Sequence, residues 1–301
     1  MSYTLIRKTF AVALASAVAS PFAMADTPPN NFSLFQYCPV NNPDVTTCVY
    51  NTTSSGVLTI GKTSLPITPS IVLQGGITGI EPSPLYDAVS APTLSSPPAQ
   101  VPGGLLGIAN PAPNWDFVLW TAFWNIFNMA NGVTATMEPV ATIQTNFGNA
   151  LFPPTDGSDP TVAMLSVRVH LQNPFLGDTC FIGSAQNPIV IKLQSGTTNP
   201  PLPNKPISGN PGNFSFVQVG DNQYAYIYVD GSTLVDNSFA VPAASGCGNI
   251  ALGLPIVTPI LEALVSGAVN LKVDLPSAAG KNTAILNGST GLAASSYVSG
   301  Q

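Results

Sequence analysis

The chain has 301 residues, with 8 Lys and Arg against 14 Asp and Glu, and only 7% of its residues are charged. So acidic and charge-poor a chain excludes a nucleic-acid surface, which needs clustered Lys or Arg, and disfavours anionic lipid surfaces. Thirty prolines and 26 glycines beside 45% apolar residues argue for many short strands and turns, not disorder.

Residues 1–25 read as a cleavable export signal. Arg7 and Lys8 supply the positive start, and Phe10 to Phe22 an apolar segment too short to span a bilayer. Ala23-Met24-Ala25 fits the small-x-small cleavage rule, so the mature chain starts at or near Asp26. Removing Arg7 and Lys8 leaves six cations against fourteen acids, a net charge of −8. No Cys follows the cleavage point and 295–301 is polar, so no lipid anchor or membrane span is expected in the mature protein. The expected location is extracellular or on the cell surface. A surface covered by Asn, Thr, Ser, Gln and Gly offers little charge repulsion against self-association.

All four cysteines lie in the mature region, and an even number in an exported chain favours disulfides. Three connectivities are open. Spacing favours Cys38–Cys48, closing a turn that contains Pro39, Asn41, Asn42 and Pro43, together with Cys180–Cys247, stapling two distant segments. A metal site lacks CxxC spacing and has only His170 to add, so no metal or other cofactor is expected.

In chain order, 32–74 carries β-branched runs at 57–60 and 71–74, punctuated by glycines. Residues 81–113, rich in Pro, Ser, Ala and Gly, read as an extended irregular connection. A helix is expected over Trp115 to Ala130, with Asn114 as N-cap and Asn131-Gly132 as stop. Thr121, Asn125 and Asn128 form its narrow polar stripe, opposite Phe117, Trp120, Phe123, Trp124 and Phe127. Such a helix packs on a sheet, lines a hydrophobic-ligand cavity, or pairs with another subunit. Strands follow at 133–137, 141–145, 161–171, 188–194, 214–219 and 223–229. The alternation Ala163, Leu165, Val167, Val169, Leu171 marks a half-buried antiparallel strand with Arg168 and His170 on its outer face. Leu254 to Val265 reads as a second amphipathic helix with Ile256, Ile260, Leu261 and Leu264 on one face and Gly267 as its stop. Strands at 269–275 and 283–286 complete the pattern. The expected fold is mainly β: an antiparallel β-sandwich with one or two packed helices. The mature chain, 26–301, reads as one domain, with 26–113 as the segment that could form its own lobe.

Catalytic chemistry has little to work with. A Ser-His-Asp hydrolase would have to use His170, the single histidine, and there is no Gly-x-Ser-x-Gly elbow. Glu81, Glu138 and Glu262 are the only glutamates, and nothing pairs them for glycoside hydrolysis. Asp156 and Asp159 lack the spacing of a calcium loop and read as a polar turn. Tyr224, Tyr226 and Tyr228 alternate on one strand, either as packing or as a binding face for sugar rings or protein. Trp120, Phe123 and Trp124 are the candidate contacts for a hydrophobic ligand.

Several stretches resemble a family of exported actinobacterial proteins commonly called "secreted protein". They include 169–177 (VHLQNPFLG), 180–184 (CFIGS), 187–190 (NPIV), 199–201 (NPP), 204–209 (NKPISG), 234–240 (LVDNSFA), 243–248 (AASGCG), 275–280 (LPSAAG) and 282–288 (NTAILNG), with Tyr37-Cys38-Pro39 to Cys48 and 61–76 near the N-terminus. The resemblance implies an abundant exported β-rich protein with both disulfides and no established activity. Between 85 and 131 the relatives carry an additional cysteine pair where this chain has its tryptophan-rich helix. The expectation is a non-enzymatic secreted or surface protein that assembles or binds a surface glycan. The alternative is a carrier of a hydrophobic or lipid ligand, with a hydrolase around His170 behind both.

Overall fold

Alternating apolar residues build much of the described chain into antiparallel strands, and glycines set where some of those strands bend. In a computed structural model, residues 30–68, 70–78, 86–89, 94–105, 107, 118–219, 224–249 and 257–300 are described. The export segment expected at 1–25 and the N-cap expected at Asn114 lie outside them. So do the side chains of 30–31, 86–89, 118–124, 224 and 257–258.

A 3-10 turn at Asn30–Phe35 leads into β1 (Val45–Ile60), β2 (Thr63–Pro66) and β3 (Ile71–Thr78). Short strands β4 (Tyr86–Val89), β5 (Leu94–Ser95) and β6 (Ala99–Gln100) precede helix α1 (Val118–Asn131). Then come β7 (Thr134–Pro139), β8 (Ile143–Thr145), the short helix α2 (Phe147–Leu151), β9 (Ala163–Gln172), β10 (Phe181–Ile182) and β11 (Ile189–Leu193). The remainder is β12 (Asn213–Val219), β13 (Tyr224–Asp236), β14 (Ala244–Ser245), helix α3 (Val257–Val273), β15 (Thr283–Ala294) and a last turn of helix, α4 (Ser295–Ser299).

The strands run β12-β13-β15-β1-β3-β4-β8-β9-β10-β14, every pair antiparallel. β9 is the hub of one layer, with β7 and β8 along one side and β10 and β11 along the other. The long strands β1, β13 and β15 form the other. Register shifts at Thr53/Ser55 and at Val229/Ser232 bend these strands. At the first shift Gly288 lies so close to the Thr52 carbonyl that a Cβ would collide with it. Reciprocal backbone hydrogen bonds between Gln194 and Val235, at 3.0 and 2.9 Å, join the end of β11 to β13. The sheet thus folds back on itself as a flattened, mainly β sandwich.

The inward row of β9 from Ala163 to Leu171 meets Leu58, Ile60, Leu73, Ile189, Ile191, Val269 and Val273 in the main core. A smaller core gathers Phe32, Phe35, Val45, Val219 and Ala293 around the Cys38–Cys48 disulfide. Cys180–Cys247 is the second disulfide, tying β10 to the segment after β14. Two disulfides place folding in an oxidising compartment. Among the described residues, no helix is long and apolar enough to cross a membrane.

Four details differ from the sequence reading. Residues within 81–113 form β4, β5 and β6 in place of an irregular connection. Gly267 does not stop the second helix, which runs on to Val273 through the segment expected to be a strand at 269–275. Its stop is Asp274 in the left-handed conformation at φ 70, with Leu275 N–H donating back to Asn270 O at 2.8 Å, a Schellman ending. The longer helix also turns another face inward. Val265, Val269 and Val273 pack on the core, while Ile260 and Leu264 stand exposed. On α1 the expected polar stripe is only part of the solvent side: Asn125 is exposed and Asn128 half-buried, while Ile126 and Met129 are exposed as well. The reason is that α1 is anchored at its end, where Asn173 Nδ2 donates to Ala130 O and Gly132 O and Leu105 N–H to Asn131 O.

Candidate ligand-binding cavity

An apolar strand face leaves space wherever its neighbours are too short or too curved to fill it. Here the faces of β1, β2, β7 and β9 diverge beneath α3 and the turn at 101–105, enclosing a cavity of about 70 Å³. Its walls are Leu58, Ile60 and Leu65 from the first hairpin, Ala135, Val169 and Leu171 from the β9 layer, and Val269 and Val273 from α3. Val101, Gly104 and Leu105 form the rim opposite α3. One water needs roughly 10–15 Å³ of such space and several polar partners to stay in it. This cavity has the room and, in its interior, almost none of the partners.

Lys272 is the exception. Among the described residues it is the only charged one of the lining, reaching the rim from the last turn of α3. Its ammonium donates to the Gly104 carbonyl. Burial of the amine holds its pKa below the ordinary lysine value. The residue as a whole remains exposed, so the charge sits at a boundary between oil and water. Among the described residues the ion pairs are Lys62–Asp274, Arg168–Glu138 and His170–Glu138, and Lys272 is in none of them. Gly104 adopts φ +51, and a Cβ there would collide with the Asn131 carbonyl. Only glycine lets the rim pass this close to the end of α1.

The residues singled out in the sequence are scattered. Trp120, Phe123 and Trp124 lie on α1, with side chains outside the described residues, as is that of Tyr224. Tyr226 packs on Phe32 and Phe35, with ring centroids 6.2 and 5.4 Å away. Burial, then the neighbouring Tyr228, raise its pKa above the ordinary phenol value. Tyr228 is half-buried beside it. Tyr226 therefore contributes to the smaller core. The outward aromatics of this hairpin are ones the sequence reading passed over, Phe214 and Phe216 on β12, 41% and 63% exposed.

His170 is held on every side. Its Nδ1 lies 3.3 Å from Glu138 Oε1, its Nε2 3.1 Å from the Asp178 carbonyl, and its ring stacks on Phe181 at 4.4 Å. Arg168 covers Phe181 at 4.0 Å and grips Glu138 Oε2 through Nε at 2.9 Å and a terminal nitrogen at 2.7 Å. Neither imidazole nitrogen faces a hydroxyl among the described residues, so the arrangement lacks the nucleophile–base contact of a hydrolase. Asp156 accepts from Ser158 and Asp159 from Thr161, each within its own turn. The Thr161 hydroxyl bond lowers the pKa of Asp159, although partial burial opposes it. No group of three metal-ligating side chains occurs among the described residues.

The cavity had no local sequence signature: its walls come from seven separate segments, each with an ordinary apolar pattern. Lys272 carried one weak signal, as one of only eight Lys and Arg in a chain of such low charge. Compared with protein-family models, with curated proteins and with solved structures, the chain matches none.

Proposed function

We propose that this is an exported, non-enzymatic binding protein that holds the apolar end of a small ligand in the cavity beneath α3. The observation that carries the reading is the lining: a space several waters in size, walled by aliphatic side chains and open at one rim. Apolar concavities with a few placed polar groups are the usual form of small-molecule sites. The cavity lies under α3, and its rim at Gly104 and Leu105 meets the end of α1 at Asn131. The packing of Tyr226 leaves a glycan-binding tyrosine face with less support than a carrier. Resemblance to the actinobacterial secreted family agrees with export and supplies no activity.

The test is native mass spectrometry of the mature protein purified from culture supernatant, paired with NMR titrations of octan-1-ol and octanoate. A co-purified small mass, or shifts of the methyl signals of Leu171 and Val269, is expected. A bare protein whose cavity methyls ignore both octan-1-ol and octanoate refutes the reading. Ala135→Leu, which fills the space, should abolish those shifts while leaving the rest of the spectrum in place.

A second reading, self-association in an extracellular layer, is favoured by β12. Among the described strands β12 ends the sheet path, paired on one side only. Its sequence NFSFVQV has no charge and no proline, the usual devices that blunt an edge. Phe214 and Phe216 stack edge-on at 4.8 Å along it.

A further inference from the structure

This inference rests on reading the cavity as a binding site and names the class of ligand. The geometry points to Lys272 as the head-group contact of that site, selecting amphiphiles whose apolar chain ends in a carboxylate or phosphate.

Three observations converge. The ammonium stands where the aliphatic lining gives way to solvent, the position a polar head must occupy when its chain enters the cavity. It has no acidic partner within ion-pair distance among the described residues, and its bond to the Gly104 carbonyl uses one of three donors. An ionised oxygen is a stronger acceptor than a neutral carbonyl, so an anionic head gains more from this amine than a hydroxyl does. The protein as a whole is strongly acidic, and its overall field repels anions. Preference for an anionic ligand must therefore be local, and among the described residues Lys272 is the one lining group able to confer it. The competing account is a surface lysine that merely lays its stem along the cavity wall.

The two accounts separate in one experiment. Octanoate, octyl phosphate and octan-1-ol share a chain and differ in head group; each is titrated at pH 7 into the mature protein, read by the cavity methyl shifts. The wild type is expected to bind octanoate and octyl phosphate at least tenfold more tightly than the alcohol. Octyl phosphate well above octanoate would assign the preferred head as phosphate, and the reverse order as carboxylate. Lys272→Met, which keeps the stem, should bring the anions down to the alcohol, and Lys272→Arg should restore part of the preference. Equal affinities in the wild type, or an undiminished preference in Lys272→Met, overturns the inference while leaving the cavity reading intact. If no octyl compound moves the cavity methyls, both fall together. The wild-type comparison needs no variant, so it decides the matter even if Lys272→Met folds poorly.

Discussion

Asn282 offers the sharpest test of how this fold holds its cavity wall. It is fully buried between β15 and the 275–280 loop. Its Nδ2 donates to Phe239 O at 2.9 Å and to Ala278 O at 3.1 Å, and its Oδ1 accepts from Gly61 N–H at 2.9 Å. In Asn282→Ala the Ala278 carbonyl keeps its bond from Lys281 N–H, but Gly61 N–H and Phe239 O lose the partners seen here. A buried polar group left unsatisfied costs about 1–3 kcal/mol, and Gly61, half-buried, recovers part of that from water. We expect a loss of about 3 kcal/mol, a large share of the roughly 5–15 kcal/mol that holds a typical domain together. Urea denaturation followed by circular dichroism measures it as a lower midpoint at unchanged slope. Gly61 belongs to the β1–β2 turn, whose next residue, Lys62, donates its N–H to Val273 O at the end of α3. The variant should therefore also weaken octanoate binding below the melting range. A loss under about 1 kcal/mol, or full stability loss with untouched binding, would refute this account of Asn282 as the pin between core and cavity wall.

Other outcomes follow from the same physics. Replacing Cys180 and Cys247 together by Ala frees a loop with 67 residues of sequence separation and should cost about 4 kcal/mol, read by the same denaturation. Phe216→Lys places a charge on the bare edge of β12; sedimentation velocity at rising concentration should show association in the wild type and less in the variant, and equal behaviour removes β12 from the second reading. Asp159 has its folded pKa below the ordinary 3.8, so its contribution is present above that value and is lost as pH falls through the folded value. Between pH 5 and 2 the wild type should thus lose more stability than Asp159→Asn, by a modest amount because the carboxylate is exposed. Parallel acid titrations of the two proteins would contradict this.

The legible parts of the fold were those where local pattern and tertiary demand coincide. The alternation from Ala163 to Leu171 is the inward row of β9, and both cysteine pairs formed as spacing suggested. Less legible were elements whose limits are set by distant partners. Nothing local says that Gly267 stays helical; it has open space around it, and the stop lies at Asp274, fixed by Asn270 and by the Leu275-Pro276 step. Nor does the pattern of α3 say which apolar side faces in, because Ile260 and Leu264 are as apolar as Val265 and Val269. The tyrosine row was visible as a row, but only Phe32 and Phe35, nearly 200 residues earlier, decide that Tyr226 is packing. The cavity is less legible still, being space that seven separate segments fail to fill.

The size of that space sets what Lys272 must do. Burying about four methylenes in it, at roughly 0.8 kcal/mol each, yields about 3 kcal/mol. Even millimolar affinity requires about 4 kcal/mol, so the chain alone does not hold a ligand at lower concentration. The walls, however, are fixed before any ligand arrives. The end of α3 is held by its Schellman bond and by Lys62, and the rim by Leu105 to Asn131 and Val101 to Val133. A preformed site loses little to ordering on binding. The ammonium has spare donors, so a head group reaches it without breaking the bond to Gly104 that ties α3 to the rim. A rigid, small pocket gains specificity mainly from its single charge. A ligand with a long chain and a neutral head should consequently bind no better here than a short one, whereas changing the head alone should move the affinity.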